Sequence, residues 1–222
     1  MPSIGGTHTL YIWLKLDLNV AHPAFFLGND PAMDFLNTTA TPHGSPIEYI
    51  GDGHAYVNWL VAAKLVSNAD AKQVFASYST KQLDEVANEA RLLREWFRGC
   101  LGIVHKGGAA LPARSSKEWL NRLNALLAKQ SGYKHLEAGS KGWQLVERQR
   151  FDRAEQLLTP VVESICRIFV GPDLTQIKRC ASPDCTLWFH DRTKAHSRVY
   201  CSPAMCGNRA KVAAYRARQK KH

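Results

Sequence analysis

Two pairs of cysteines near the C-terminus constrain the fold of this chain more than any other feature. Cys180 and Cys185 form the first pair, Cys201 and Cys206 form the second, and fifteen residues separate the two pairs. Cysteine pairs joined by a short loop can enclose one tetrahedral zinc ion through four thiolates. Four thiolates leave no position for water, so the predicted ion is structural rather than catalytic.

Disulfides, free core thiols and an iron–sulfur cluster are the alternatives to zinc. Lys15 and Asp17 interrupt the apolar stretch near the N-terminus, which resembles neither a secretory signal nor a membrane span. We therefore expect a cytoplasmic protein, whose reduced thiols favour metal over disulfides. No familiar cluster spacing is present. Cys100 and Cys166 lie in apolar helical patterns and are predicted to be core residues.

The formal net charge of +10 is concentrated at the C-terminal end. Residues 176–222 contain 11 Lys and Arg against 2 Asp and Glu, a net charge of +9, whereas residues 1–175 contain 18 against 17. A zinc ion with four thiolates adds −2, and the segment stays basic. Nucleic acid is the polyanion that such a segment would bind. A membrane surface fits less well, because the tail lacks the aromatic and leucine face of an interfacial helix.

Helical patterns dominate the sequence before the cysteines. We predict a lead-in segment over 1–24, a helical domain over 25–172 and a small cysteine module over 173–222. Alternation of apolar and polar residues around Gly139–Gly142 predicts a β-hairpin within 133–151. The fold class is therefore mainly α with a small β-hairpin. Predicted helices start at Pro31 and cover about 54–65, 67–78, 80–105, a stretch after Ser115 or Ser116, and 152–170, where Pro160 should produce a kink.

The cysteine module is predicted as a zinc-stapled β-hairpin followed by a basic helix. Residues 186–189 form a short strand that pairs with 198–200, and a helix runs from about 205 to 221. On that helix Val212 and Tyr215 are expected to dock one side. The cations fall on two nearly opposite faces, which suits a groove with phosphates on both flanks: Arg209, Arg216 and Lys220 on one face, Lys211 and Arg218 on the other. A solvated tail and an acidic protein partner are the alternatives.

The order of residues around the cysteines is specific enough to support a family resemblance. Trp188-Phe189-x-Asp191-x-Thr193-Lys194 follows the first cysteine pair, and Arg198-x-Tyr200-Cys201-Ser202 and Cys206-Gly207-Asn208-Arg209-x-Lys211 follow the loop. This pattern resembles the CGNR zinc finger, with Tyr200 where Trp is expected. Phe26-Leu27-Gly28-Asn29 and the run up to Asn37-Thr38 resemble the domain that accompanies this finger. The resemblance covers about residues 25–220.

The resemblance implies a zinc-containing, stress-induced transcription regulator of bacteria that binds DNA. Arg192, Lys194 and Arg198 would hold a neighbouring phosphate, or would instead balance the charge of the zinc centre. Gly207 lets the backbone approach a thiolate, and Asn208 can donate to sulfur or cap the helix.

The N-terminal domain offers fewer signals of function. Asn37, Thr38 and His43 form a polar cluster that could line a small-molecule pocket, or that caps a helix and satisfies buried backbone. No catalytic motif is present, so we do not expect an enzyme. An enzyme or ligand-binding protein with a merely structural zinc module is one alternative. RNA binding through stacking of Trp188, Phe189 and Tyr200 is another. A homodimer is plausible, and any effector is undetermined.

Overall fold

The computed structural model describes residues 24–41, 46–108, 113–140, 142–171 and 173–219. The α-helices in this part are α1 (Pro31–Leu36), α2 (Gly53–Ala62), α3 (Asn68–Ser77), α4 (Thr80–Lys106), α5 (Ala113–Leu127), α6 (Thr159–Val170) and α7 (Asn208–Gln219). The strands are β1 (Thr39–Ala40), β2 (Ile47–Glu48), β3 (Ser131–Gly139), β4 (Gly142–Arg150), β5 (Ile177–Arg179) and β6 (Trp188–His190). The mainly helical fold class is thus confirmed. No helix in the described ranges is both long and apolar enough to cross a membrane.

Helix α4 is the centre of the helical domain. Ser79 caps its first turn in a reciprocal capping box with Gln82. Its apolar face packs against α1, α2 and α6 in one hydrophobic core. Gly53, at the start of α2, allows a close approach, since a Cβ there would lie 2.3 Å from the Cβ of Leu83. The buried α4 positions are Leu83, Val86, Ala87, Ala90, Leu93, Arg94, Phe97, Cys100, Leu101 and Val104.

The predicted β-hairpin is confirmed, and the predicted proline kink is wrong. Strands β3 and β4 pair antiparallel along their whole length, with Ser131 opposite Arg150 and Gly139 opposite Gly142. Pro160 lies in the first turn of α6, where its missing amide costs nothing. A separate 3₁₀ turn, Ala154–Leu158, precedes it. The single helix predicted over 152–170 is therefore two elements.

The cysteine module pairs its strands differently from the prediction. Strand β6 pairs antiparallel with β5, which precedes the first cysteine, and not with residues 198–200. The first cysteine pair consequently lies in the connection between these strands. A π-helical turn, Pro203–Gly207, then leads into α7. Helix α5 also begins earlier than expected, at Ala113.

The cysteine module and the helical domain share their hydrophobic cores. Ile177 and Trp188 are buried in the core formed by the helices. Conversely, Ala40 and Tyr49, from the segment around β1 and β2, are buried together with the four cysteines and Phe189. The predicted boundary at 172 therefore separates two segments that pack on each other. The lead-in segment as far as residue 23, His43 and Lys220 lie outside the described residues.

Candidate metal centre and nucleic-acid interface

The four predicted ligands converge on one buried point. The sulfur atoms of Cys180, Cys185, Cys201 and Cys206 all lie within 4.8 Å of one another. The sulfur of Cys201 is 3.8 Å from that of Cys185 and 3.6 Å from that of Cys206. A tetrahedral ion with zinc–sulfur bonds of about 2.3 Å separates its sulfurs by about 3.8 Å, whereas a disulfide needs about 2.05 Å. The spacing fits one zinc ion and excludes disulfides among these residues.

The electrostatics of the cluster are also consistent with a bound cation. A hydrogen bond from Cys201 lowers the pKa of Cys185 to about 5. The same hydrogen bond, together with burial, raises the pKa of Cys201, and burial raises the pKa of Cys206 to about 11. Four packed thiols cannot all ionise unless a cation lies among them, and a bound divalent metal deprotonates its thiol ligands. The donor set therefore fits a structural zinc ion, which would cross-link the module.

Short backbone motifs place the two cysteine pairs. The amide of Cys180 donates to the carbonyl of Leu187 at 2.9 Å, which closes the loop between β5 and β6. The amide of Cys201 donates to the sulfur of Cys180 at 3.3 Å. Ser202 caps the π-helical turn by accepting from the amide of Met205, and this turn carries Cys206. The last ligand therefore lies two residues before the start of α7, and a bound metal would anchor the start of that helix.

The two nearby histidines are engaged away from the cluster. Nδ1 of His190 accepts from Nε of Arg192 at 3.2 Å, and burial lowers the pKa of His190. Nδ1 of His196 lies 3.0 Å from the carbonyl oxygen of Asp191, to which it donates in the matching tautomer. Neither histidine belongs to the four-ligand cluster.

Asp191 organises the loop between the cysteine pairs. Its carboxylate is fully buried and accepts from Nζ of Lys178 at 2.8 Å, from the amide and hydroxyl of Thr193, and from the amide of Arg198. Burial alone would raise its pKa, but these donors outweigh burial and hold the pKa of Asp191 well below its usual range. The sequence analysis missed this role, although Asp-x-Thr is a common turn signal.

Arg198 is part of this framework rather than a free cation. Its guanidinium lies 4.2 Å from the centre of the Phe189 ring. It also donates to the carbonyls of Tyr200 and Cys201 and, at 3.1 Å, to that of Leu27. Burial lowers the pKa of Arg198, and the charges of Cys201, Asp191 and Cys180 oppose this effect, as expected for a counter-charge of the zinc centre. These contacts favour the counter-charge alternative for Arg198 over a phosphate contact.

The other two loop cations differ from each other. Arg192 donates to Oδ2 of Asp30, the residue that caps α1, at 3.0 Å, and thus links the module to the helical domain. Lys194 is exposed and has no ion pair among the described residues. We call Lys178, Arg192 and Arg198 the framework cations, because each holds part of the fold together.

Helix α7 carries the remaining predicted nucleic-acid contacts. Within the described residues its cations form no ion pair or hydrogen bond, and each is exposed; they are Arg209, Lys211, Arg216 and Arg218, which we call the helix cations. The expected docking of Val212 and Tyr215 is wrong, since these side chains are 48% and 57% exposed. No residue of α7 is buried, so the helix projects from the metal centre.

Gly207 and Asn208 do not act on sulfur as expected. A Cβ at Gly207 would make ordinary contacts of 3.5 Å or more, so close approach does not require glycine there. The amide of Gly207 donates to the carbonyl of Ser202, not to a thiolate. Asn208 begins α7 with an exposed side chain.

The comparisons with known proteins agree with this architecture. The family described as "CGNR zinc finger" matches residues 176–219. The family described as "Putative stress-induced transcription regulator", or ABATE, matches residues 29–172, well over half of the chain. The chain belongs to the ABATE family. No curated protein matches it significantly.

The ABATE domain holds the zinc finger through Asn37. The side-chain amide of Asn37 donates to the carbonyl of Trp188 at 2.9 Å, and its oxygen accepts from the Trp188 amide at the same distance. Asn37 is buried, so these bonds are shielded from water. The amide continues the hydrogen bonding of strand β6 and joins the two matched regions. These bonds favour the structural alternative for Asn37 over a role in the predicted ligand pocket.

Thr38 is likewise structural. Its hydroxyl donates to the carbonyl of Phe35 at 2.7 Å and accepts from Nη1 of Arg94 at 2.9 Å. Arg94, itself buried, forms a two-pronged ion pair with Glu48. Because the polar atoms of Asn37 and Thr38 are satisfied by protein, the helix-capping alternative fits them better than the pocket.

One cleft of about 210 Å³ opens between α4 and α5. It is lined by Leu93, Leu126 and Leu158 together with charged residues. The guanidinium of Arg122 lies over the Trp96 ring, and Lys129, at the rim, pairs with Glu155.

Two of the three rings proposed to stack on RNA are buried. Phe189 is fully buried, Trp188 is 7% exposed, and Tyr200 is half-buried. The alternative of RNA binding through these rings loses its main support.

Proposed function

We propose that this protein is a zinc-dependent transcription regulator that binds DNA through α7. The observation that carries the proposal is that the helix cations have no partner among the described residues, although the framework cations nearby are all engaged. Four exposed cations without a carboxylate among them form a strong local attraction for a polyanion. The metal centre fixes the start of the helix, which limits the entropy lost on binding.

The arrangement of residues around α7 suits a groove. At 100° per residue, Arg209 and Arg216 lie on one flank, and Lys211 and Arg218 lie on the other. The face between the flanks consists of alanines, whose short side chains allow a helix to approach base edges: Ala210, Ala213, Ala214 and Ala217. Lys194, an exposed cation of the zinc loop, offers one further phosphate contact.

The first experiment is selection of genomic DNA fragments by the full-length, zinc-loaded protein at physiological salt, followed by sequencing. Enrichment of one shared promoter-proximal sequence supports a specific regulator. Uniform recovery of all fragments would reduce the proposal to nonspecific binding of polyanions.

The helix is tested directly by the variant Arg209→Gln/Arg216→Gln. Each lost phosphate contact lowers the slope of log affinity against log salt by about 0.9, so we expect a decrease of up to about 2 and weaker binding. Lys72→Gln, an exposed cation on α3, is the matched control and should change neither quantity. An unchanged slope in the double variant would contradict the role of α7.

The stress-dependent part of the function rests on the description of the ABATE family. It is tested by comparing transcripts of a deletion strain, complemented with wild type or Arg209→Gln/Arg216→Gln, before and after heat or oxidative stress. We expect genes next to the selected DNA sites to respond only with the wild type. Equal responses in both strains would contradict it.

A further inference from the structure

Strands β3 and β4 form a long arm that extends from the ABATE domain. Nine residues per strand correspond to about 30 Å. The base of the arm is attached by Gln149, which donates to Glu163 at 3.2 Å, and by Ser131, which donates to Asp152 at 3.3 Å. Toward the tip, the hydrogen bonds and ion pairs of the described residues stay within the arm, as between Arg148 and Glu137.

One face of this arm is apolar and exposed to solvent. The register places Leu136 opposite Leu145 and Ala138 opposite Trp143 on the same face. Trp143 is 83% exposed, Leu145 is 63% exposed and Leu136 is 55% exposed. An isolated two-stranded hairpin is at best marginally stable in water, and it normally needs a further layer to cover its apolar side. The opposite face is largely polar: Tyr133, His135, Glu137, Gln144, Val146 and Arg148.

We propose that this apolar face binds the same face of a second copy of the chain. We define the dimer face as Lys134, Leu136, Ala138, Trp143, Leu145 and Glu147. A twofold axis between stacked hairpins, parallel to the strands, places β3 of one protomer over β4 of its partner. In this arrangement each residue faces the partner's copy of the residue that it pairs with in its own hairpin. Lys134 then faces an opposite charge on Glu147, Leu136 faces Leu145, and the small side chain of Ala138 faces the large side chain of Trp143.

This self-complementarity favours a second copy over another partner. The dimer face carries one positive and one negative charge, so it has no net charge to attract an acidic or a basic protein. When two copies of the face bind each other, however, Lys134 of each protomer lies opposite Glu147 of the other. The face is two strands wide, at the small end of specific interfaces, so we expect a dissociation constant on the order of micromolar.

The dimer face also bears on the proposed function, although it does not depend on it. A dimer carries two α7 helices and would contact two DNA half-sites, which raises specificity without new base contacts. The oligomeric state is measured without DNA, so failure of the dimer and failure of DNA binding are separate results.

Sedimentation equilibrium of the full-length, zinc-loaded protein, at concentrations around and above micromolar, is the first test. We expect wild type to dimerise and Trp143→Ser/Leu145→Ser to be monomeric. Tyr133→Ser removes an aromatic ring from the opposite face and should dimerise like wild type. Circular dichroism checks that the variants keep their helices. A monomeric wild type, or a dimer that persists in Trp143→Ser/Leu145→Ser, would overturn the proposal.

A charge exchange tests the arrangement independently of the apolar residues. Lys134→Glu and Glu147→Lys each place like charges across the interface, so each variant alone should dimerise at least tenfold more weakly than wild type. Mixed together, they restore two opposite-charge contacts and should form a heterodimer. A mixture that associates no better than either variant alone would overturn the proposed packing.

Discussion

The framework cations and the helix cations carry the same charge within one small zinc finger, but their surroundings differ completely. Arg198 lies against Phe189 and donates to three backbone carbonyls, and Lys178 pairs with buried Asp191. Arg216 and its neighbours on α7 have no partner in the described part of the chain. The net charge of a segment therefore indicates that it can attract a polyanion. The contacts of each cation show which cations are available to bind one.

The difference follows from the positions of the two groups relative to the metal. The framework cations surround the loop between the cysteine pairs, where irregular backbone leaves carbonyls that need donors. The helix cations lie on α7, whose carbonyls are satisfied within the helix. Arginine on irregular backbone near thiolates therefore stabilises the fold, and arginine on a projecting helix remains available.

Removal of zinc is the strongest test of this comparison, because both groups depend on the metal centre. Binding of structural zinc by small modules contributes about 10–16 kcal/mol at neutral pH, so chelation should unfold residues around the four cysteines. Hydrogen exchange should accelerate in β5, β6 and α7 and stay slow in α4. Protection in β6 that survives chelation would show that packing against the ABATE domain suffices.

The second test separates the two groups by stability. Arg198→Gln removes a ring contact and charged hydrogen bonds to partly buried backbone, which should lower the free energy of unfolding by about 2–4 kcal/mol. Lys194→Gln is the control from the same loop and should change it by less than about 0.5 kcal/mol. Chemical denaturation with bound zinc measures both. Equal stabilities of the two variants would show that Arg198 does not stabilise the fold.

The joint between the two regions gives a third test. Asn37→Ala leaves the buried amide and carbonyl of Trp188 without partners, and each unsatisfied group costs about 1–3 kcal/mol. We expect a loss of stability and faster hydrogen exchange at Trp188, while Asn88→Ala, on the surface of α4, serves as the control. Unchanged hydrogen exchange in β6 would show that the framework cations alone hold the zinc finger against the ABATE domain.

The smallest expected effect concerns Asp34, which lies close to Asp30, the partner of Arg192. Burial raises the pKa of Asp34 to about 7, against a hydrogen bond from the Gly28 amide that lowers it. The folded state therefore keeps a proton that the unfolded chain releases above about pH 4, and stability falls as the pH rises towards 7.

Asp34→Asn keeps an oxygen for the Gly28 amide and removes the titration. Between pH 5 and pH 7.5, wild type should lose about 2 kcal/mol of stability relative to this variant. Denaturation curves at both pH values measure the difference. Parallel pH dependences would show that Asp34 is ionised throughout and adds to the charge that holds Arg192.

The sequence by itself determined the features that depend on local rules. The spacing of Cys180, Cys185, Cys201 and Cys206 identified the metal ligands, because thiolate chemistry and a short loop allow little else. Pro31 located the start of α1, apolar periodicity located α4, and the alternation on either side of Gly139–Gly142 identified the β3–β4 hairpin. The charge distribution predicted a basic C-terminal helix.

Only the tertiary structure decided how those parts are used. Asn37 bonds to Trp188 across 151 positions of sequence, and Arg198 is enclosed by groups from Leu27 to Cys201. No local pattern encodes such contacts, because they depend on which surfaces meet after the helices pack. The same reason explains why β6 pairs with β5 rather than with residues 198–200. Sequence specified the chemistry available to this protein, and packing determined which cations stabilise the fold and which remain exposed for binding.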